Sequence, residues 1–420
     1  MAGHIEEITV AESQPEAFTR PTSRKAEAHD AKNNAPAHLD HRLAAFAEER
    51  YDLRHNLLTG QAEFRPKGQD AAAFFPLTAR DLNSLCLAAH EAGIPCWDRD
   101  VSRFVASDRL PDYHPFRDYF DRLPPWDGED RLNALARRVS DSAPWVRGFR
   151  RWMLAVAAQW MGMGDGHANS VAPVLVSGRQ GLGKSTFCRN LLPPELSAYY
   201  TDSADVANTA RMEQLLVEMG LINLDEFDRI PVRRHPALKN VMQLTDLHVR
   251  KAYRRDTLRL PRIASFIATS NSHELLSDPS GSRRFLCVEV ERPIDSTNIE
   301  HAQIYAQLKD ELQKGERHWF TSGEEEAIMR SNEAFYKRPI EEDVFHACFR
   351  AACPGDLNVH PLSAASIFQI LKEKNPAAMR GSTASNFGKV LTALHIERKH
   401  TRYGNLYQVV PLTLHTFHRI

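Results

Sequence analysis

"VLVSGRQGLGKSTFCRN", running from Val174 to Asn190, decides how this chain reads. An apolar run suited to a buried strand stops at Ser177, a glycine-rich loop follows, and the residues after it suit a helix. Gly178-Arg179-Gln180-Gly181-Leu182-Gly183-Lys184-Ser185 is a full match to GxxxxGK[ST], followed by Thr186. Glycines let a backbone wrap closely around a phosphate, and the N–H groups at the start of a helix favour an anion. Lys184 can then reach the β- and γ-phosphates of ATP, and the Ser185 hydroxyl can ligate Mg²⁺. Gly178, Arg179, Gln180, Gly181, Gly183, Lys184, Ser185 and Thr186 are therefore the candidate nucleotide-binding residues.

Phosphate chemistry also needs a carboxylate from a neighbouring strand. "LINLDEFD" ends an apolar run with Asp225, placed to share the metal, and Glu226, placed to deprotonate the attacking water. An acid pair at a strand end can also be a solvated helix cap. "ASFIATSN" ends a further strand at Asn271, which could sense the γ-phosphate or form an Asx turn. "DPSGSRRFLCVEV" then offers Arg283 and Arg284 as candidate arginine fingers, or as a salt-bridged strand edge. Between the acids and Asn271, "HVRKAYRRDTLRLPR" reads as a hairpin turning near Arg255-Asp256 with a basic, aromatic tip. Arg250, Lys251, Arg254 and Arg255 could hold phosphates and Tyr253 could stack a base, although a solvated charged hairpin has the same composition.

The whole chain narrows the classes. It has 420 residues, 42% hydrophobic and 25% charged, which suggests a soluble protein of two or three domains. A net charge of −1 gives no global field for nucleic acid, so any such binding comes from local patches. Six cysteines without CxxC spacing read as reduced thiols, and 19 dispersed histidines without HExxH do not suggest a metal site. No apolar run reaches the ~20 residues of a membrane span, and the N-terminus lacks an apolar signal region, so a cytoplasmic location is expected.

Residues 1–40, rich in Ala, Glu, Ser, Pro and Asn, are expected to lack order. Residues 41–130 read as a small α+β domain, with a hairpin at Thr59-Gly60 and a helix capped by Thr78 and stopped at Gly93. A long amphipathic helix is expected from Leu132 to about Met163. Strands alternating with helices then indicate an α/β core within residues 131–325, and "TSGEEEAIMRSNEAFYK" adds a charged helix. Residues 340–420 read as helix, helix and a hairpin turning at Gly404-Asn405, the order of a winged helix. Helix "TASNFGKVLTALH" would enter a groove, and Arg398, Lys399 and Arg402 would contact backbone, unless the module binds protein instead.

The order glycine-rich loop, "LDEFD", "VRKAYRR", "TSN" and "DPSGSRRF", preceded by "HPFRDYFDRLPPWDGEDRL" with its "WDG", resembles the virulence-associated protein E family of mobile-element and phage ATPases. These are similar to superfamily 3 helicases. The resemblance implies a P-loop NTPase core of the AAA+ and superfamily 3 type with a small α+β N-terminal domain and a C-terminal winged helix. It implies an ATP-hydrolysing, magnesium-dependent homo-oligomeric ring, a hexamer, that engages single-stranded or forked DNA in replication. Lys184 and Ser185 then serve phosphate and metal, Asp225 and Glu226 form the acidic motif with Glu226 as base, Asn271 is the sensor, and Arg284 is favoured over Arg283 as finger. No catalytic acid triplet precedes the core, so priming would fall to a partner primase. Two other readings stay open: a non-motor DNA-binding ATPase switch in replication initiation or phage defence, and a small-molecule kinase.

Overall fold

The computed structural model describes residues 35–69, 73–164, 166–249, 258–276, 279–402 and 404–412. The chain divides into two units, one reaching Tyr113 apart from residues 58–60, and one from His114 onward that includes those three. The boundary falls before the expected one at residue 130, because "HPFRDYFDRLPPWDGEDRL" clusters with the second unit.

The first unit holds α1 (Ala35–Arg50), β1 (Tyr51–Asn56), β2 (Ala62–Pro66), β3 (Phe75–Pro76), α2 (Ala79–Glu91), α3 (Asp98–Val105) and β4 (Asp112–Tyr113). Helix α1 begins inside the segment expected to lack order; Leu43, Ala44 and Ala47 bury one side of it. The sheet runs β3-β2-β1-β4, with β1 and β2 antiparallel as expected of the hairpin. At α2 the Thr78 hydroxyl accepts from the Asp81 N–H while the Asp81 carboxylate accepts from the Thr78 N–H, a reciprocal capping box.

The second unit opens with α4 (Pro115–Asp121), α5 (Arg131–Arg137) and α6 (Ala143–Met161). The single helix expected from Leu132 to Met163 is thus two. Pro144, which has no N–H to give, sits in the first turn of α6 instead of the interior of one long helix, and Gly162 ends α6 in the left-handed region. Next come β5 (Ala172–Val176), α7 (Lys184–Asn190), β6 (Tyr200–Thr201), α8 (Thr209–Glu218), β7 (Leu221–Leu224), α9 (His235–Val241), β8 (Asp246–Val249), β9 (Leu258–Pro261), β10 (Ser265–Ser270) and β11 (Phe285–Glu289). Five strands form a parallel sheet in the order β11-β5-β10-β7-β6.

Strands β5, β7 and β10 are buried along their whole length, as a parallel sheet covered on both faces requires. On one face Leu175, Leu221, Ile267 and Leu286 meet Trp145, Phe149, Trp152 and Trp160 of α6. On the other, Val174, Ile222 and Phe266 meet Met212, Leu215 and Leu216 of α8. Gly148 lets α6 approach the sheet, since a Cβ there would come within 2.6 Å of Leu286. Helices α10 (His301–Gln313) and α11 (Ser322–Ser331) follow, and Ile304, Tyr305 and Ile328 complete the first face.

The last segment comprises α12 (Ile340–Cys348), β12 (Phe349–Ala351), β13 (His360–Ser363), α13 (Ala364–Lys374), α14 (Ala384–Ala393), β14 (Arg398–Thr401) and β15 (Gly404–Pro411), around a core of Phe345, Ile367, Leu371, Phe387, Leu391 and Val409. Strand β15 pairs antiparallel with β12, β13 and β14. Thr401 pairs with Gly404, so the hairpin turns before Gly404 and not at Gly404-Asn405. Among the described residues, no helix is long and apolar enough to cross a membrane.

Candidate active site

The parallel order brings the carboxyl ends of β5, β7 and β10 side by side, and the chain leaves each strand there with polar residues. After β5 the glycine-rich loop turns into α7, with Gly181 at φ +78° and Gly183 at φ +80°. A Cβ at 183 would also stand 3.3 Å from the Ile294 carbonyl oxygen, so both backbone sign and space favour glycine. After β7 come Asp225 and Glu226, and after β10 comes Asn271.

These loops line one cavity of about 290 Å³, with walls that include Gln180, Gly181, Gly183, Lys184, Ser185 and Thr186 from the loop, and Asp225, Glu226, Thr269 and Asn271 from the neighbouring strands. Gly178 and Arg179 stand outside those walls; the Arg179 N–H is folded back onto the Ser177 hydroxyl at 3.0 Å.

Lys184 is only 8% exposed. Its Nζ donates to Asn271 Oδ1 at 3.0 Å and to the Ser177 carbonyl at 3.4 Å. Burial lowers its pKa, while the carboxylates of Asp225 and Asp228 pull the other way. Ser185 Oγ donates to Asp225 Oδ1 at 3.0 Å, and Thr269 Oγ1 donates to the same oxygen. Hydroxyl and carboxylate are therefore already aimed at a shared point, a pairing of hard oxygen donors that suits a divalent cation. Glu226 adopts φ +51° directly after Asp225, turning its side chain into the cavity wall. Its carboxylate meets Arg229 at 2.7 Å in an exposed pair, a contact of small worth that gives way cheaply.

Asp228 completes the arrangement, although the sequence reading gave it no role. The turn Phe227–Arg229 carries it back under the strand ends, where Oδ1 accepts from Ser270 Oγ at 2.8 Å and from the Asn271 N–H at 3.2 Å. Asp228 thus fixes the backbone of the residue that holds Lys184. The third acid of "LDEFD" was visible, but no residue spacing announces the short turn that redirects it.

The structure does not bring Arg283 or Arg284 to this cavity. Both immediately precede β11, whose first residue Phe285 pairs with Ala172 at the amino end of β5. Arg283 meets Glu325 of α11 at 3.0 Å. The expected basic hairpin has its two legs in β8 and β9, with Val249 opposite Leu258. Arg250, Lys251, Tyr253, Arg254 and Arg255 lie outside the described residues. Arg262 is no surface charge: it is fully buried and donates to the carbonyls of Ala264, Met242 and Asn169 at 2.7, 2.6 and 3.0 Å, and burial lowers its pKa to about 9. Arg398, Lys399 and Arg402 are exposed on and beside β14, far along the chain in a segment with its own core.

A family model of the virulence-associated protein E-like domain matches residues 120–337, more than half of the chain. The chain belongs to this family. A second model, described as a domain of unknown function from a B. theta gene (DUF3874), matches residues 338–409. No curated protein matches. Among solved structures, the apo NrS-1 C-terminal region is similar at 12% identity and a TM-score of 0.44, covering 89% of this chain and 98% of that one. Its A-form apo structure gives 12% and 0.42, covering 86% and 96%.

Proposed function

We propose that this chain is a P-loop ATPase that hydrolyses Mg-ATP, assembles as a ring, and engages DNA in the replication of a mobile element. The observation that carries the reading is the convergence of Lys184, Ser185, Asp225 and Asn271 at the carboxyl ends of three adjacent parallel strands, beside a loop that needs left-handed glycines. That donor set fits a triphosphate and a hard divalent ion. Ser185 and Asp225 would hold Mg²⁺, which when bound neutralises charge on the β- and γ-phosphates.

The chain's own residues account for the rest. Lys184 supplies a buried positive charge to the γ-phosphate, which replaces Asn271 as its partner. Glu226 takes the proton of a water as its oxygen bonds to the γ-phosphorus; the bond to the bridging oxygen breaks, and ADP and phosphate leave. Asn271, held by Asp228, presents its amide to the phosphate or the water. Arg284, which its own chain keeps at the far end of the sheet, would act on a neighbouring subunit's nucleotide.

The helix, helix, hairpin order of the last segment supports a winged helix, with Ser385, Asn386 and Lys389 on the exposed side of α14 and the basic β14 beside it. The test is steady-state ATPase with and without single-stranded DNA. DNA should stimulate turnover, and Glu226→Gln should lower it about 10²-fold or more while ATP binding persists. A Glu226→Gln protein as active as the wild type would remove Glu226 as base. Failure of DNA to change the rate would leave an ATPase without the DNA role.

A further inference from the structure

Away from the nucleotide cavity, three groups with affinity for soft cations converge in the first unit. Cys86 and His90 stand four residues apart on α2, hence on one face and one turn apart. After Glu91 the chain reverses through Gly93, at φ +75°, and returns Cys96 to the same place. The two sulfurs and one ring nitrogen all lie within 4.8 Å of one another. Around Zn²⁺, with Zn–S of about 2.3 Å and Zn–N of about 2.0 Å, tetrahedral ligands stand roughly 3.3–3.8 Å apart, so small side-chain rotations close the shell. Among the described residues no other three His, Cys, Asp or Glu groups come together in this way.

Burial is graded across the cluster. Cys96 is fully buried in the core of the unit, Cys86 is half-buried, and His90 is exposed, which leaves one side open to solvent. No disulfide joins the two cysteines. The Cys86 thiol approaches the Cys96 carbonyl at 3.6 Å, and His90 Nε2 faces the same carbonyl. In the tautomer that places the proton on Nε2, this contact would orient a metal-bound imidazole, as outer contacts to ligating histidines do.

We propose that Cys86, His90 and Cys96 form a Zn²⁺ site of two thiolates and one imidazole, with water in the fourth position. Binding releases one proton from each thiol to solvent and leaves neutral charge on the three ligands and ion together. Thiolate and imidazole donors select zinc over the magnesium that the nucleotide cavity suits. The ion ties the end of α2 to the start of α3, a staple of the kind that small units with limited cores use. This site stands independently of the ATPase reading.

The experiment uses the full chain, purified without added metal, with bound zinc measured by mass spectrometry and Co²⁺ titrated into the metal-stripped protein. One zinc per chain is expected, together with a thiolate-to-cobalt charge-transfer band and tetrahedral ligand-field bands. His90→Ala, at an exposed position that does not threaten the core, should lose the zinc and weaken the cobalt spectrum while its circular dichroism is unchanged; Cys86→Ser should do the same. A zinc-free wild type whose cobalt spectrum lacks the thiolate band overturns the proposal. Zinc retained at full occupancy in both variants overturns it too, since the metal would then be bound elsewhere.

Discussion

At the carboxyl ends of β5, β7 and β10, the converging polar side chains hold one another: Lys184 is held by Asn271, Ser185 and Thr269 by Asp225, Ser270 and the Asn271 backbone by Asp228. At the amino end of β11, by contrast, Arg283 is half-exposed and pairs with the Glu325 carboxylate of α11. One end is a preassembled set of charges around a cavity; the other presents arginines that no cavity of the same site receives. Five residues of β5 separate them by about 15 Å. Within one chain Arg283 and Arg284 stand at the opposite end of the sheet from Lys184. Under the proposed ring, a second copy would bring the two ends together.

Doping is the sharpest way to break that comparison. Arg284→Ala alone should lower ATP turnover about 10³-fold, the scale of a lost arginine finger. Mixed into wild type at a fixed total concentration, it should depress activity faster than its mole fraction, because each variant subunit silences a neighbour's site. A strictly proportional fall would mean each subunit works by itself, and the arginines would revert to a structural edge.

The preassembled end can be probed through Asp228. Asp228→Asn keeps the size of the side chain but removes the charge that two donors share. With a charged hydrogen bond worth about 1.5–3 kcal/mol, turnover should fall about tenfold or more while the Michaelis constant moves little. Asn271→Asp228 coupling predicts that the double variant Asp228→Asn with Asn271→Ala is no worse than Asn271→Ala alone. Additive losses would separate Asp228 from the sensor.

How much of this was legible beforehand follows the same division. The glycine-rich loop, Lys184, Ser185, Asp225 and Asn271 could be read because each sits where an apolar run stops, and three continuously buried strands are hard to mistake. Asp228 was not legible, since its position depends on a three-residue turn and on which strand lies next to β7. The break between α5 and α6 was hidden because apolar periodicity continues on both sides of Ser140-Asp141-Ser142, although Pro144 was a visible warning. Arg262 closes the basic stretch HVRKAYRRDTLRLPR, and its burial was not legible because composition cannot tell a guanidinium facing water from one capping three carbonyls. The cluster of Cys86, His90 and Cys96 was passed over because its third member returns through a turn rather than through a short CxxC spacing.

A smaller effect is expected at the basic strand. Lys399→Ala removes one exposed positive charge that takes part in no catalytic contact. DNA affinity should weaken, and the slope of log affinity against log salt should become shallower by about one. Basal ATP hydrolysis without DNA should not change. An unaltered salt slope would move the DNA contact away from β14 and leave the segment for protein binding.

The smallest effect concerns acid stability at the entry to the second unit. His114 caps α4, its Nδ1 accepting from the Arg117 N–H at 3.3 Å. Burial, and then the Arg117 guanidinium, lower its pKa to about 4 from the ordinary 6.5. As pH falls below about 6.5 the unfolded chain therefore takes up a proton that the folded chain refuses, and this contribution drains stability until about pH 4, where both states are protonated alike. Asn at this position offers a capping side-chain oxygen in place of the ring nitrogen, without titrating. His114→Asn should accordingly show a smaller drop in urea midpoint between neutral pH and about 4.5 than the wild type, with similar midpoints at neutral pH. An equal drop in both proteins would assign the acid sensitivity to the carboxylates, such as Glu324, whose pKa its Arg317 and Thr321 contacts hold near 2 against the opposing pull of burial.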